Sequence, residues 1–216
     1  MGRCRHVVFD IDGTLLDTEA ATLSSLQALI REVQHRDAGV DGLRFALGIP
    51  GEVSLLRLGF TDTVAANARW GELLRERWSM MRPFDGIEEL LRRLQSEGYA
   101  LGIVTSKDRG EYASDFVPFG LSGYFGRVVC AGDAPRSKPA PDPLVAYLAR
   151  CGIGAGEAVY VGDTAYDSQC ARGAGVDFGL AAWGGGVDVA VEARYVFRSP
   201  ADVLAALTGG RGAGLG

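Results

Sequence analysis

Two carboxylates, Asp10 and Asp12, close an apolar run, Val7-Val8-Phe9, and Gly13 follows them at once. The run reads as the end of a buried strand, and Gly13 permits a sharp reversal of the backbone behind it. A carboxylate at the carboxyl end of a buried strand stands where open α/β sheets place their ligand crevice. There, one carboxylate can attack as a nucleophile or hold a cation while the other moves a proton. A plain Asp-Gly turn satisfies the same local pattern, so the chemistry depends on partners elsewhere in the chain.

Three further segments supply such partners. The apolar stretch Ala100–Val104 ends in Thr105-Ser106-Lys107, where a hydroxyl and backbone N–H groups can hold the oxygens of a phosphoryl group. Thr-Ser at that place also reads as a helix cap. In Arg136-Ser137-Lys138-Pro139-Ala140-Pro141-Asp142-Pro143 the prolines stiffen the backbone around Lys138. A fixed cation near carboxylates keeps a nucleophile ionised and balances phosphoryl charge. Finally, Ala158–Val161 runs into Gly162-Asp163-Thr164-Ala165-Tyr166-Asp167. Asp163 and Asp167 lie four residues apart, on one face at the entry to a helix, a pairing that suits a hard dication. Each segment has a bland reading as a surface lysine, a helix cap or an exposed helical aspartate. Four strand ends on one edge of a parallel sheet, carrying Asp/Asp, Thr-Ser, Lys and Asp/Asp, are a conjunction that points to an enzyme of phosphoryl transfer.

The elements that must position these groups follow from periodicity. From Asp17 to about Gln34, Leu23, Leu26, Leu29, Ile30 and Val33 recur at helical spacing, with Asp17 or Thr18 as the cap. A glycine-broken stretch, Gly39 to Gly51, holds a short apolar piece at Leu43–Leu47. Val53–Leu58 gives another helical turn or two, and Thr61 can cap a longer helix carrying Val64, Trp70, Leu73, Leu74 and Trp78. Nothing between Asp17 and Met81 reads as a strand. After Pro83, strands at Ala100–Val104, Arg127–Ala131, Ala158–Val161, Val176–Ala181 and Tyr195–Phe197 alternate with helices, which predicts a parallel sheet covered on both faces. The expected fold is therefore α/β, a Rossmann-like parallel sheet core covered by helices, with an inserted all-helical cap domain after the first strand. Residues 1–16 and 83–216 form the core and 17–82 the cap, which hangs over the carboxylate edge and suits a lid. The Gly-rich tail Gly209–Gly216 reads as disordered.

Composition narrows the partners. A 216-residue chain with 47% apolar and 23% charged residues buries a real core, and a net charge of −5 advertises no basic face for nucleic acid or anionic lipid. Cys4, Cys130, Cys151 and Cys170 form no CxxC pair and read as small buried hydrophobes of a reducing compartment. His6 and His35 are too far apart in sequence to suggest a triad or zinc centre. Asp10 ends the first apolar run too early for a signal peptide, and no stretch approaches a membrane span, so the expected location is cytoplasmic.

Asp10-x-Asp12-Gly13-Thr14-Leu15-Leu16-Asp17-Thr18 resembles the first motif of the haloacid dehalogenase-like (HAD) phosphohydrolases, and the three later segments resemble the remaining motifs in order. Only 33 positions separate Thr105 from Lys138, leaving no room for a second cap. With Gly162-Asp163-Thr164-x-x-Asp167, Ala171-Arg172-Gly173-Ala174-Gly175-Val176 and Ala182-Trp183-Gly184-Gly185, the chain is similar to the phosphoglycolate phosphatase-like branch. The resemblance implies that Asp10 is the nucleophile forming an aspartyl-phosphate and that Asp12 protonates the leaving oxygen, then deprotonates water. It further implies that Thr105 and Ser106 bind phosphoryl oxygens and that Lys138 neutralises charge. Magnesium would be held by Asp10, the carbonyl of Asp12 and Asp163, with Asp167 a direct, water-mediated or outer ligand. The expected activity is Mg2+-dependent hydrolysis of a small phosphorylated metabolite: phosphoglycolate-like, a sugar phosphate, a nucleotide or pyrophosphate.

Rival readings are a sugar phosphomutase of the same fold and a non-catalytic phosphate-binding protein. The second would be expected to have lost one of Asp10, Asp12, Lys138 or Asp163, and none is lost. A dehalogenase needs no acid at the position of Asp12, and a Schiff-base phosphonate hydrolase needs a cap lysine, which 17–81 lacks. Gly48-Ile49-Pro50 is the expected cap loop over the crevice, with Arg44 or Arg57 available to meet a second anionic group.

Overall fold

The structure is a computed structural model that describes residues 4–184 and 191–208; the tail from Gly209 and the end of the Ala182–Gly185 stretch lie outside the described residues. The core is one six-stranded, all-parallel sheet. In chain order its strands are β1 (His6–Phe9), β4 (Ala100–Val104), β5 (Arg127–Val129), β6 (Ala158–Gly162), β7 (Asp177–Ala181) and β8 (Tyr195–Phe197). Their spatial order is β5-β4-β1-β6-β7-β8.

Strand period explains how β1 comes to sit at the centre. Val7, Val8 and Phe9 are all fully buried, but successive side chains face opposite sides of the sheet. Val7 and Phe9 join one core with Leu90, Leu91 and Leu94 of α4 (Ile87–Ser96) and Val203 of α8 (Pro200–Thr208). Val8 joins the other with Leu144, Tyr147 and Leu148 of α6 (Asp142–Cys151) and Cys170 and Ala171 of α7 (Ala165–Ala174). A strand buried on both faces needs apolar residues, and Val7, Val8 and Phe9 supply them.

The chain departs from β1 to one side and returns on the other, so the strand order reverses there and opens a crevice at the carboxyl edge. Register then decides what meets in it. Phe9 pairs with Ile103 on one side and Val161 on the other, and Val104 with Val129. Thr105 and Asp163 therefore emerge level with each other, one position beyond Asp10 on the same edge.

The helical insertion has a core of its own. Leu26, Leu29 and Ile30 of α1 (Glu19–Gln34) pack with Leu55 of α2 (Gly51–Arg57) and with Trp70 and Leu73 of α3 (Thr63–Arg75). The Trp70 indole donates to Ser25 Oγ at 2.8 Å, so its buried N–H is satisfied within that core. The cap of α3 is Asp62, which accepts from Ala65 N at 2.9 Å, in place of the expected Thr61. Thr18 stands at the head of α1 without a side-chain capping bond.

Two short strands that periodicity could not signal, β2 (Leu16–Asp17) and β3 (Arg82–Pro83), pair antiparallel where the chain leaves and re-enters the core. Two residues are too few to show a period. Ends also shift by a residue or two: β5 stops at Val129, β7 starts at Asp177, and α5 (Arg109–Asp115) gives way to a 3-10 turn at Val117–Phe119.

Packing at β4 depends on Gly102, where an added Cβ would overlap the Tyr147 ring. Gly102→Ala is expected to destabilise the fold by about 1–3 kcal/mol through overpacking, read as a lower denaturation midpoint. An unchanged midpoint would refute that tight contact.

Candidate functional site

The turn after β1 builds the site. Asp10 N donates to Val161 O at 2.9 Å, and Ile11 O accepts from Leu15 N at 2.8 Å and Leu16 N at 2.9 Å, winding the chain tightly beyond the strand. Gly13 adopts a φ of +72°, and a Cβ there would overlap the Asp163 carboxylate. Glycine is thus required both for backbone conformation and for close approach. Thr14 Oγ1 donates to Asp163 Oδ1 at 3.3 Å, tying the first turn to the end of β6.

Lys138 is buried between two carboxylates. Its Nζ lies 3.0 Å from Asp10 Oδ1 and 2.7 Å from Asp167 Oδ1, and donates to Tyr160 Oη at 3.1 Å. Asp167, fully buried on the first turn of α7, accepts Lys138 on Oδ1 and both Thr164 N (3.0 Å) and Thr164 Oγ1 (2.6 Å) on Oδ2. The Tyr160 hydroxyl also stands 2.8 Å from Asp167 Oδ1 and 2.9 Å from Val104 O, with one proton to serve them. Asp167 is therefore saturated by the protein.

Charge in the site is unbalanced. Burial pushes the Asp10 carboxyl up; Lys138 pulls it back, and the charges of Asp167 and Asp12 push again, leaving it at about 7. Burial, then Asp167 and Asp10, hold Asp163 well above the ordinary carboxylate range. Burial works against the Lys138 ammonium, but Asp10 and Asp167 outweigh it and raise its pKa.

Asp10, Asp163 and Asp167 offer oxygens within 4.8 Å of one another against the single charge of Lys138. Asp10 Oδ1 pairs with Lys138 without an aligned hydrogen bond, and Asp12 Oδ1 is buried with none. Oxygen-only donors with surplus negative charge and uncommitted lone pairs fit a hard dication.

The other strand ends arrive as the register requires. Thr105 is buried; its Oγ1 accepts from Lys107 N at 3.2 Å, and its own proton has no acceptor among the described hydrogen bonds. Ser106 is at the same edge, but its hydroxyl donates to Gly48 O of the cap at 2.8 Å. Gly48 and Ile49 roof the crevice above Asp10 and Asp12, as expected, together with Asn67, Trp70 and Arg75 of α3. Arg44, paired with Glu19 at 2.7 Å, lines a cavity beside Asp12 and Asp163, whereas Arg57 lies over the Phe45 ring.

A family model for haloacid dehalogenase-like hydrolases matches residues 7–181. The chain belongs to the haloacid dehalogenase-like hydrolase family. It is 34% identical over 189 residues to a phosphoglycolate phosphatase of Xylella fastidiosa, covering 83% of this chain and 81% of that one. It is 30% identical over 188 residues to an N-acetylmuramic acid 6-phosphate phosphatase of Pseudomonas aeruginosa, covering 80% and 79%. Among solved structures, a Lactobacillus plantarum protein 26% identical superposes with a TM-score of 0.84 over 94% of this chain and 99% of that one. A Pseudomonas syringae hydrolase, 21% identical, shares the fold at a TM-score of 0.84 over 95% and 98%.

Three members of this HAD site were not picked out from the sequence: Tyr160, Lys107 and Asp115. Lys107 Nζ lies 3.2 Å from Asp12 Oδ2 and 3.4 Å from Asp115 Oδ2. Burial disfavours its charge, yet Asp12 and Asp115 outweigh that and raise its pKa. A compositional signal was there to be read, since of the 22 basic residues only Lys107 and Lys138 are lysines. Tyr160 had no such signal, because a tyrosine in a buried strand reads as core.

Between the ordinary carboxylate range and about pH 7, burial holds on Asp10 a proton that the unfolded chain has released. Its contribution to stability is then full below the ordinary carboxylate value and is lost as pH rises through about 7. A bound dication competes with that proton. Saturating Mg2+ is therefore expected to raise Tm more at about pH 8 than at about pH 5.5. A shift of equal size at both values would contradict this coupling.

Proposed function

We propose that the chain is a magnesium-dependent phosphatase that hydrolyses a small phosphorylated metabolite through an aspartyl-phosphate on Asp10. The observation that carries this reading is the placement of two carboxylates with different surroundings on one turn. Asp10 is buried and paired with Lys138, while Asp12 lines the crevice and keeps its Oδ1 buried and without a hydrogen bond. One is suited to attack, the other to exchange a proton.

Asp10 would attack phosphorus as its bond to the leaving oxygen breaks, and that oxygen would take a proton from Asp12. Asp12 would then accept a proton from the attacking water. The bond between phosphorus and Asp10 breaks, and inorganic phosphate leaves. Thr105 Oγ1, with its uncommitted proton, and Ser106, through its main-chain N–H, would hold phosphoryl oxygens. Lys138 offsets charge at the reacting centre, and Asp167 and Tyr160 fix its ammonium.

Asp10, Asp163 and the carbonyl of Asp12 would hold Mg2+, with Asp167 an outer group that reaches the site through Lys138. When bound, the cation neutralises phosphoryl charge and eases attack by an anionic nucleophile. Residues 17–82 serve as the cap and 1–16 with 83–216 as the catalytic core. The cap side of the crevice is mostly apolar, from Leu47, Ile49, Trp70 and Leu74, with Thr22, Asn67 and Arg75 as its polar groups. That lining suits a small leaving group with one polar or anionic end. The four cysteines stand free, in keeping with the reducing cytoplasm in which we place the enzyme. No helix among the described residues is long and apolar enough to cross a membrane.

The test is phosphate release from a panel of phosphomonoesters, nucleotides and pyrophosphate, with Mg2+ and after chelation. Mg2+-dependent release is expected, and Asp10→Asn is expected to lower it by about 10³-fold or more with the fold intact. Wild-type turnover in that variant would remove Asp10 from the role of nucleophile.

A further inference from the structure

The chain uses arginine twenty times and lysine twice, and both lysines pair with site carboxylates. Lys138 has its place in the reaction above; Lys107 does not. Lys107 leaves β4 two residues beyond Thr105, and its side chain is 11% exposed. It is clamped from the far side by Asp115 of α5, itself 7% exposed in its side chain. Asp115 is fixed in turn, because Ser114 Oγ donates to its Oδ1 at 2.6 Å. The near side of Lys107 meets Oδ2 of Asp12, whose Oδ1 stays buried without a hydrogen bond.

We propose that Lys107, held by Asp115, is a positioning residue that fixes the Asp12 carboxyl group by one oxygen and leaves the other alone to exchange a proton with the leaving oxygen. The inference rests on the phosphatase reading of the same site. An aspartate side chain on a glycine-containing turn has two torsions to lose, and a proton donor must lie within hydrogen-bond reach of its acceptor. An ammonium engaged with two carboxylates removes that freedom. The lysine ammonium is a compact point charge with rotatable donors on a flexible stem, so it can serve both carboxylates at once.

The role predicts a dependence on the leaving group. A nitrophenolate departs without a proton, whereas an alkoxide does not. The experiment compares kcat/KM, which reports steps through departure of the leaving group, for p-nitrophenyl phosphate and an alkyl phosphomonoester. It uses wild type, Lys107→Met and Asp115→Asn in saturating Mg2+. Lys107→Met is expected to lower kcat/KM on the alkyl ester at least about tenfold more than on the nitrophenyl ester. Asp115→Asn, which keeps Lys107 and most of the packing, is expected to show the same bias more weakly. Equal losses on both esters in both variants would overturn the proposal, as would a loss confined to KM, which would make Lys107 a substrate-binding group. Failure of the phosphatase reading is separable, because wild type would then release phosphate from neither ester.

Discussion

The ammonium of Lys138, buried between Asp10 and Asp167, is the interaction on which the rest of the site depends. It joins three separate segments: the turn after β1, the proline-rich stretch before α6, and the first turn of α7. Burying such charges is costly, and the cost is met only when every group is paired and hydrogen-bonded. Asp167 meets the condition through Lys138, Thr164 and Tyr160. Asp10 does not, and its raised pKa records the shortfall. The protein completes the outer part of the network and leaves the inner part short of positive charge. A dication and a phosphoryl group are the chemical complements of that deficit.

The sheet makes such an arrangement affordable in geometry. Parallel strands deliver their carboxyl ends to one edge, and the pairing of Phe9 with both Ile103 and Val161 sets Thr105 and Asp163 level with each other, one position beyond Asp10. No residue of the site has to reach far. The buried apolar strands beneath are rigid, so positions at their ends are held by packing on two cores rather than by the loops themselves. Glycine at 13 removes the remaining obstacle, since any side chain there would displace Asp163.

Much of this was legible in the sequence, for reasons particular to each residue. Val7–Phe9 and Ala158–Val161 are uninterrupted apolar runs with carboxylates just beyond them, so strand and strand end are written locally, while the chemistry was legible only from the conjunction of the segments. Lys138, on a proline-stiffened segment that alone reads as a surface lysine, was legible only beside the other motifs. What was not legible depends on contacts between distant segments. Ser106 could not be seen to give its hydroxyl to Gly48 O, nor Arg44 to be drawn to Glu19, because both are settled by how the cap sits on the core. Asp167 is the intermediate case. Thr164-Ala165-Tyr166-Asp167 is a capping-box spacing, and the structure forms that box, yet only burial turns its aspartate from an exposed cap into the anchor of Lys138.

The loop from Thr105 to Glu111 shows how closely cap and core are joined. Ser106 donates to Gly48 O of the cap, Asn67 of the cap donates to Glu111 Oε1 at 3.3 Å, and Lys107 between them holds Asp12. Glu111 is itself committed to the head of α5, where it and Asp108 form a reciprocal capping box. A movement of the cap therefore acts on a segment whose far end is anchored to a helix and whose middle touches a reacting group. Such a segment cannot follow the cap freely; it either keeps its bonds and holds the cap down, or releases them together. The two contacts are single hydrogen bonds, each worth about 0.5–1.5 kcal/mol.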